Sequence, residues 1–443
     1  MLFDIVVIGG GPAGFFAAIH CVETALALTG TRPRVVIFEA SHQVLGKVRI
    51  SGGGRCNVTH AEFDPRIFAS RYPRGSRELL GPLMRFGALE TLQWFEQRGV
   101  GLKTEGDGRI FPVSDRSETI VNVLVQEADR LGVSVRVRSK VANLRLSEAD
   151  DGYRFRVELS RNNLFSSRHV LISTGASQTA LRWAQELGGH RVVPHVPSLF
   201  SFVVCPNRHP WIAKLAGISV SEAEITFSDR TPSATNARGK RKAMLRECGP
   251  LLFTHFGLSG PAVLALSSFG ARDFHGSEYK FIVEVNFSPR ARLFADILER
   301  YRNGSDRRLS VTTKNPFGLP RRLWSSLVVQ VAGIDESKQY ANLNATEIRQ
   351  IELAVTKCKL QVVGRSPFKE EFVTAGGVDL RDVHMATCES KLLRGMYFAG
   401  EVLDIDAVTG GYNLQNAWTT GYCAGIAMAG EIARPNEASL EKL

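Results

Sequence analysis

Apolar residues in this chain come in short dense runs that stop at glycine, the pattern of strands buried on both faces of a parallel sheet. Phe3-Asp4-Ile5-Val6-Val7-Ile8 leads straight into Gly9-Gly10-Gly11-Pro12-Ala13-Gly14, and Val35-Val36-Ile37-Phe38 ends in Glu39. His169-Val170-Leu171-Ile172 gives way to Ser173-Thr174-Gly175-Ala176, a turn of small residues. Near the C-terminus, residues 395–404 read as a further buried strand carrying Gly400, Glu401 and Asp404, and Thr409-Gly410-Gly411-Tyr412-Asn413-Leu414-Gln415 opens a helix of small residues running to Gly430. Between these runs, residues 87–98 and 117–131 carry the helical period, 133–137 predicts a short strand, and 153–159 alternates with a period of two, as a half-exposed strand does.

From residue 197 the pattern changes to short strands and turns. Residues 198–204, 222–227 and 279–286 predict strands, whereas 291–302, 319–331 and 346–354 predict helices. The organisation that follows is an α/β, Rossmann-like domain in two parts, 1–195 and 356–443, interrupted by a β-rich and then helical insert over 196–355. No internal repeat or low-complexity segment breaks it.

The first run carries the most specific chemistry. A buried strand running into Gly-x-Gly-x-x-Gly and a helix binds a dinucleotide: Gly9 permits the tight turn, Gly11 lets the backbone approach a pyrophosphate, and Gly14 lets helix and strand pack closely. Pro12 and Ala13 complete the first helical turn, whose amide hydrogens and partial positive charge face the phosphates. Glu39, with Ala40 beside it, is placed for the ribose hydroxyls. In two-dinucleotide flavoproteins an acid at a strand end such as the one near the C-terminus binds the flavin's ribityl chain, and the following helix N-terminus faces the pyrimidine edge, where its dipole stabilises the anionic reduced ring. A simple helix-entry turn is the alternative for Gly410-Gly411. Only one intact Gly-x-Gly-x-x-Gly is present, so a nicotinamide donor either stacks transiently on the flavin or is replaced by another reductant.

Composition narrows the picture. The 443 residues are 44% hydrophobic, enough for a substantial core, and no apolar run comes near the roughly 20 residues of a membrane span. A phosphate-binding strand that begins at residue 3 leaves no room for a signal peptide. Seven cysteines without a Cys-x-x-Cys pair point to reduced thiols in a cytoplasmic protein, with neither a disulfide framework nor a metal site. The net charge is +11, and residues 191–340 hold 21 Lys and Arg against 12 Asp and Glu. That basic region contains Lys240, Arg241 and Lys242 in one cluster and Arg307 and Arg308 in another. It reads either as a solvated face or as a surface for a nucleic-acid backbone.

Four longer motifs extend the reading: Ser51-Gly52-Gly53-Gly54-Arg55-Cys56-Asn57, the segment 253–262 around His255, Thr374-Ala375-Gly376-Gly377-Val378, and Tyr397–Asp404 followed by Thr409–Gln415. Together, in this order and over nearly the whole chain, they resemble the BaiN/RdsA-like flavoproteins, also catalogued as the aminoacetone-oxidase family, a branch of the glutathione-reductase-type FAD fold. The resemblance implies a noncovalent FAD and an inserted β-barrel domain with helices. It implies cofactor contacts from Lys47, Ser51, Gly52, Gly53, Gly54, Arg55 and Asn57 on the glycine-rich loop, and from Val141, Thr174 and Gly175. Gly400, Glu401 and Asp404 with Gly411, Tyr412, Asn413 and Leu414 complete the implied set. NADH or NADPH is the implied transient donor. The chain departs from the family pattern at residues 176–180, which stand in place of a longer stretch, at Cys388 in place of methionine, and at Ala407 in place of glycine.

Family activities divide among reduction of an activated C=C bond in a steroid-like acid, amine oxidation, and reduction of uridine to dihydrouridine in large-subunit ribosomal RNA. Reduction of an enone or uracil ring puts hydride on the carbon β to the carbonyl and needs an acid for the α carbon. Cys56 is the candidate acid, since an ordinary thiol is mostly protonated at neutral pH. Its alternative role is a small apolar filler beside the glycines. His255 and Tyr412 are weaker candidates. Three readings follow: an RNA uridine reductase whose basic insert binds phosphates, a small-molecule FAD oxidoreductase, and an RNA-binding protein with a structural flavin.

Overall fold

β1 (Leu2–Ile8) and β2 (Val35–Phe38) pair in parallel with Ile5 opposite Val35 and Ile8 opposite Phe38, and Leu164–Ile172 flanks β1 in parallel on its other side. The computed structural model describes residues 1–148, 152–160, 163–227, 244–291, 293–366 and 373–434. It divides the chain into two units, Met1–Val196 with Val373–Leu443, and Pro197–Phe372.

In the first unit the sheet order is Val383–His384, Glu389–Ser390, Met396–Phe398, Leu164–Ile172, β1, β2 and Ser134–Arg136, with the hairpin of Val141–Leu146 and Phe155–Leu159 attached to Leu164–Ile172. The strands ahead of Gly9, Thr174 and Gly400 are therefore neighbours, and their parallel alignment collects three glycine-bearing turns at one edge, where ligands of open α/β sheets bind. The strand expected over 395–404 is confined to Met396–Phe398. It ends because Gly400 takes φ +77° and donates its N–H to Thr420 Oγ1 at 2.9 Å, which turns the chain into a short 3₁₀ segment.

α1 (Pro12–Thr29) starts on a proline that needs no N–H partner and stops at Gly30 in the left-handed region. It packs along the C-terminal helix Tyr412–Ala433 at very short range. A Cβ on Gly425 would lie 2.5 Å from the Ala17 carbonyl oxygen, and one on Gly421 2.7 Å from that of Ala13. The small-residue pattern of the last helix thus has a packing cause. By length and composition alone α1 could cross a membrane, which corrects the expectation that no run comes near that length. Its apolar character serves the core instead: Phe15, Phe16, Ile19 and Val22 are fully buried among Val7, Ile37 and Trp418.

The second unit is a closed barrel in the order Phe202–Val204, Gly257–Ser259, Leu245–Phe253, Ser219–Phe227, Phe281–Asn286 and Cys358–Arg365. Aromatic side chains fill it, with the Phe274 and Phe281 rings stacked at 4.1 Å. Two expectations shift here. The strand foreseen over 198–204 is interrupted, because Leu199 adopts φ +55° and separates Val192–Ser198 from Phe202–Val204. The unit also runs past residue 355, since Cys358–Arg365 closes the barrel against both Phe281–Asn286 and Phe202–Val204. The helix Ala345–Thr356 before it begins at a capping box of Asn344 and Glu347.

Candidate functional site

The turn after β1 shows directly why glycine stands where it does. Gly9 has φ +110°, and a Cβ there would sit 2.5 Å from the Ser173 carbonyl oxygen; on Gly14 it would sit 2.2 Å from the Gly9 oxygen. No side chain caps the N-terminus of α1 at Gly11, so its first amides are not taken by a capping side chain. Glu39 folds back over the turn: Oε2 accepts from the Gly10 amide at 2.8 Å and Oε1 from Ser41 at 2.7 Å. The amide of Ser139 donates to the Glu39 carbonyl at 2.8 Å, which brings the segment leading into Val141 alongside Glu39 and the exposed Ala40. Val141 itself is buried at the start of its strand.

A second group gathers at the ends of the neighbouring strands. Lys47, on α2 (Gly46–Gly54), pairs with Glu401, whose Oε1 also accepts from the Thr374 amide at 3.3 Å. Asp404 Oδ1 accepts from the Gly376 amide at 3.0 Å, so the Thr374–Val378 motif is held by two acids. Gly175 belongs to the same place: a Cβ on it would lie 3.2 Å from Glu401 Oε2. Next to it the Thr174 Oγ1 is buried with no partner among the described residues, a state that costs about 1–3 kcal/mol unless a ligand supplies one. Gly400 packs against Ala13, its position for a Cβ being 3.1 Å from the Ala13 Cβ.

The glycine-rich segment is a helical turn from Gly46 that breaks at Ser51, after which Gly52, Gly53 and Gly54 all take positive φ. Ser51 donates its Oγ hydrogen to Val48 at 3.0 Å, and its carbonyl accepts from the Cys56 amide at 2.9 Å. Arg55 reaches Glu105 at 2.6 Å and covers the Phe111 ring at 3.9 Å. Asn57 joins this loop to the last helix, with its NH2 facing the Thr59 carbonyl at 3.0 Å and its oxygen facing the Gly411 amide at 2.9 Å. Tyr412 is buried between Phe68 and Tyr72 and stacks on His60 at 4.9 Å; burial pushes its hydroxyl up to about 12. Asn413 accepts from the Ala407 amide and donates to the Ala407 carbonyl, both at 3.0 Å, and the half-buried Leu414 follows.

Cys56 does not present a thiol at a surface. It is fully buried in the apolar cluster with Val48 and Val58, and burial pushes it up to about 12 against an opposing hydrogen bond with Ser51. This placement fits the space-filling alternative. His255 lies exposed on the turn between Phe253 and Gly257 of the barrel unit, and not in an apolar core. Lys240, Arg241 and Lys242 fall outside the described residues, whereas Arg307 and Arg308 are exposed.

A buried polar network escaped the sequence reading. Thr59 and Thr91 both donate to Gln415 Oε1, at 2.6 and 3.0 Å, and Gln415 Nε2 donates to Thr419 at 3.0 Å. These residues fix the N-terminal turns of the last helix against the loop. The usable signal was polar residues at positions 415, 416, 419 and 420 in a helix otherwise made of small and apolar ones. His195 and Gln178, hydrogen-bonded to one another at 3.1 Å, were also missed, since neither lies in a motif.

The crowded glycines, the uncapped helix start and the orphaned Thr174 hydroxyl fit a dinucleotide laid along these turns. A family model described as the HI0933-like protein Rossmann domain matches residues 3–427. The chain belongs to the HI0933-like family. Its members are FAD-dependent oxidoreductases, and so is this protein. Relatives include a 3-dehydro-bile acid delta(4,6)-reductase of Clostridium scindens, 30% identical with 96% of this chain and 98% of the relative covered. A ribosomal RNA dihydrouridine synthase of Escherichia coli is also 30% identical, covering 95% and 97%. A protein of the same description from Haemophilus influenzae is 25% identical, covering 96% and 98%. Among solved structures, a 3-ketosteroid-delta4-(5alpha)-dehydrogenase of Rhodococcus jostii shares the fold of the HI0933-like chain at a TM-score of 0.50 and 15% identity, with 97% of each covered.

Proposed function

We propose that this oxidoreductase reduces a uridine of large-subunit ribosomal RNA to dihydrouridine, with NADH or NADPH as the electron donor. FAD, when bound, supplies hydride transfer at N5 of its ring. Gly9, Gly11, Pro12, Ala13 and Gly14 would hold its pyrophosphate, Glu39 its adenosine ribose, and the strand ends at Thr174, Gly175, Glu401 and Asp404 its ribityl chain. The start of the last helix, at Gly411–Leu414, would face its pyrimidine edge. The reaction adds one hydride to the uracil carbon β to the carbonyl and one proton to the α carbon, which saturates the bond between them.

The observation that carries the RNA reading is the set of exposed arginines on the second unit. Arg300, Arg307, Arg308, Arg321 and Arg322 are all exposed. Of the nearby cations, Arg302 pairs with Glu299 at 3.2 Å and Lys314 with Asp306 at 3.9 Å. Fixed positive charge on a barrel-and-helix unit is suited to phosphates, while sequence readout falls to the exposed base. The equal identity to a bile-acid reductase supports a second reading, reduction of a conjugated C=C bond in a small molecule.

Mass-spectrometric quantification of dihydrouridine in ribosomal RNA, from cells with and without the gene, tests the choice. The expected result is loss of the modification without the gene and its return with purified protein, FAD and NADH or NADPH. An unchanged dihydrouridine content overturns the RNA reading, and reoxidation of the reduced flavin by a conjugated ketone then tests the second.

A further inference from the structure

Gln178 opens the helix Gln178–Gly188, and His195 lies within the strand Val192–Ser198. The Gln178 amide NH2 donates to His195 Nδ1 at 3.1 Å. A ring nitrogen that accepts carries no proton in the neutral imidazole, so the hydrogen resides on Nε2. Nε2 is buried and has no partner among the described residues. His195 feels both carboxylates of the strand-end group, Glu401 and Asp404, yet burial outweighs them and holds the imidazole below its ordinary range. The ring is therefore a neutral donor at neutral pH, oriented by Gln178 and lacking an acceptor among the described residues. Buried N–H groups are nearly always paired, and one left unpaired beside a ligand-binding group of residues is placed for an acceptor that a ligand can bring.

We propose that His195 donates a hydrogen bond from Nε2 to a carbonyl oxygen of the ring system bound at these strand ends. This rests on the flavin reading above. Two rings carry such an oxygen: the pyrimidine part of the flavin and the conjugated carbonyl of the substrate. Both oxygens gain negative charge as their ring accepts hydride, so one fixed neutral donor favours the charged form in either case. Gln178 is the positioning residue, because it selects the tautomer that can donate.

The test uses the FAD-loaded full chain and the variants His195→Leu, which removes the donor, and His195→Gln, which retains one. The flavin midpoint potential is measured without substrate, and single-turnover reoxidation of the photoreduced protein is followed with a large-subunit ribosomal RNA transcript. If the acceptor is on the flavin, His195→Leu lowers the potential, with the reduction equilibrium shifted about tenfold, and His195→Gln restores it. If the acceptor is on the substrate, the potential stays put while reoxidation slows about tenfold in His195→Leu and recovers in His195→Gln. Neither quantity changing in His195→Leu overturns the proposal, as does equal loss in both variants, which a merely structural histidine would produce. A wild type that holds no flavin removes the underlying reading instead. A wild type inert toward the transcript removes only the RNA substrate, and an unchanged potential then overturns the proposal by itself.

Discussion

A methyl group at Gly11 and one at Gly14, three residues apart on one turn, meet opposite surroundings. At Gly14 it would strike the Gly9 carbonyl at 2.2 Å, whereas at Gly11 the nearest atom is the Ser173 oxygen at 3.9 Å and the backbone is extended, with φ −86°. The fold needs Gly14 but leaves room at Gly11, as the proposed approach of a pyrophosphate to Gly11 would require. Gly11→Val should leave the circular dichroism spectrum and melting temperature near wild type while weakening FAD affinity about tenfold or more, read from the flavin absorbance retained on purification. His20 illustrates a residue-scale property that no motif announces. It lies buried in α1 against Phe16, Phe86 and Tyr422, and burial, helped by Arg98, lowers its imidazole to about 3. The unfolded chain takes up this proton near pH 6.5 and the folded chain does not, so stability is lost as pH falls from 6.5 toward 3. His20→Phe should move the acid-unfolding midpoint to lower pH and add about 2 kcal/mol at pH 4, measured by denaturant titration.

At the scale of elements, the contact between α1 and the last helix holds the first unit together. Gly425 meets the Ala17 carbonyl and the Cys21 amide, so a side chain there must push the helices apart. Gly425→Val should cost about 3 kcal/mol by chemical denaturation and release the flavin as the turn after β1 loses its backing. The helices foreseen at 117–131 and 346–354 appear as Ser117–Arg130 and Ala345–Thr356, because each carries an apolar stripe at helical spacing. Residues 395–404 and 198–204 were legible as apolar but not as interrupted. Their breaks depend on the backbone of Gly400, tied to Thr420 far along the chain, and on the left-handed Leu199, neither of which hydrophobic period records.

For the whole molecule, the proposed RNA reading turns on the basic second unit. Arg307 and Arg308 follow the helix Phe294–Asn303 on an exposed 3₁₀ turn. Their joint replacement by Glu should reduce the salt-dependence slope of binding to a large-subunit ribosomal RNA transcript by about two, while the flavin spectrum stays unchanged. An unaltered slope would assign these arginines to solvation alone. The barrel itself could be read only as β-rich from local pattern, since closure is a matter of which strands meet, and the closing strand Cys358–Arg365 comes from beyond the expected boundary.

The dinucleotide turn, the strands and helices whose hydrophobic period is unbroken and the excess of basic residues were all determined by the sequence alone, because each depends on residues adjacent in the chain or repeated at a short period. Only the tertiary structure decided that Lys47 meets Glu401 across 354 positions, that Cys56 packs in a core, and that His195 Nε2 is buried without a partner among the described residues. Those properties arise when distant segments converge at one edge of the sheet and exclude water there, and neither convergence nor burial is a local feature of the chain.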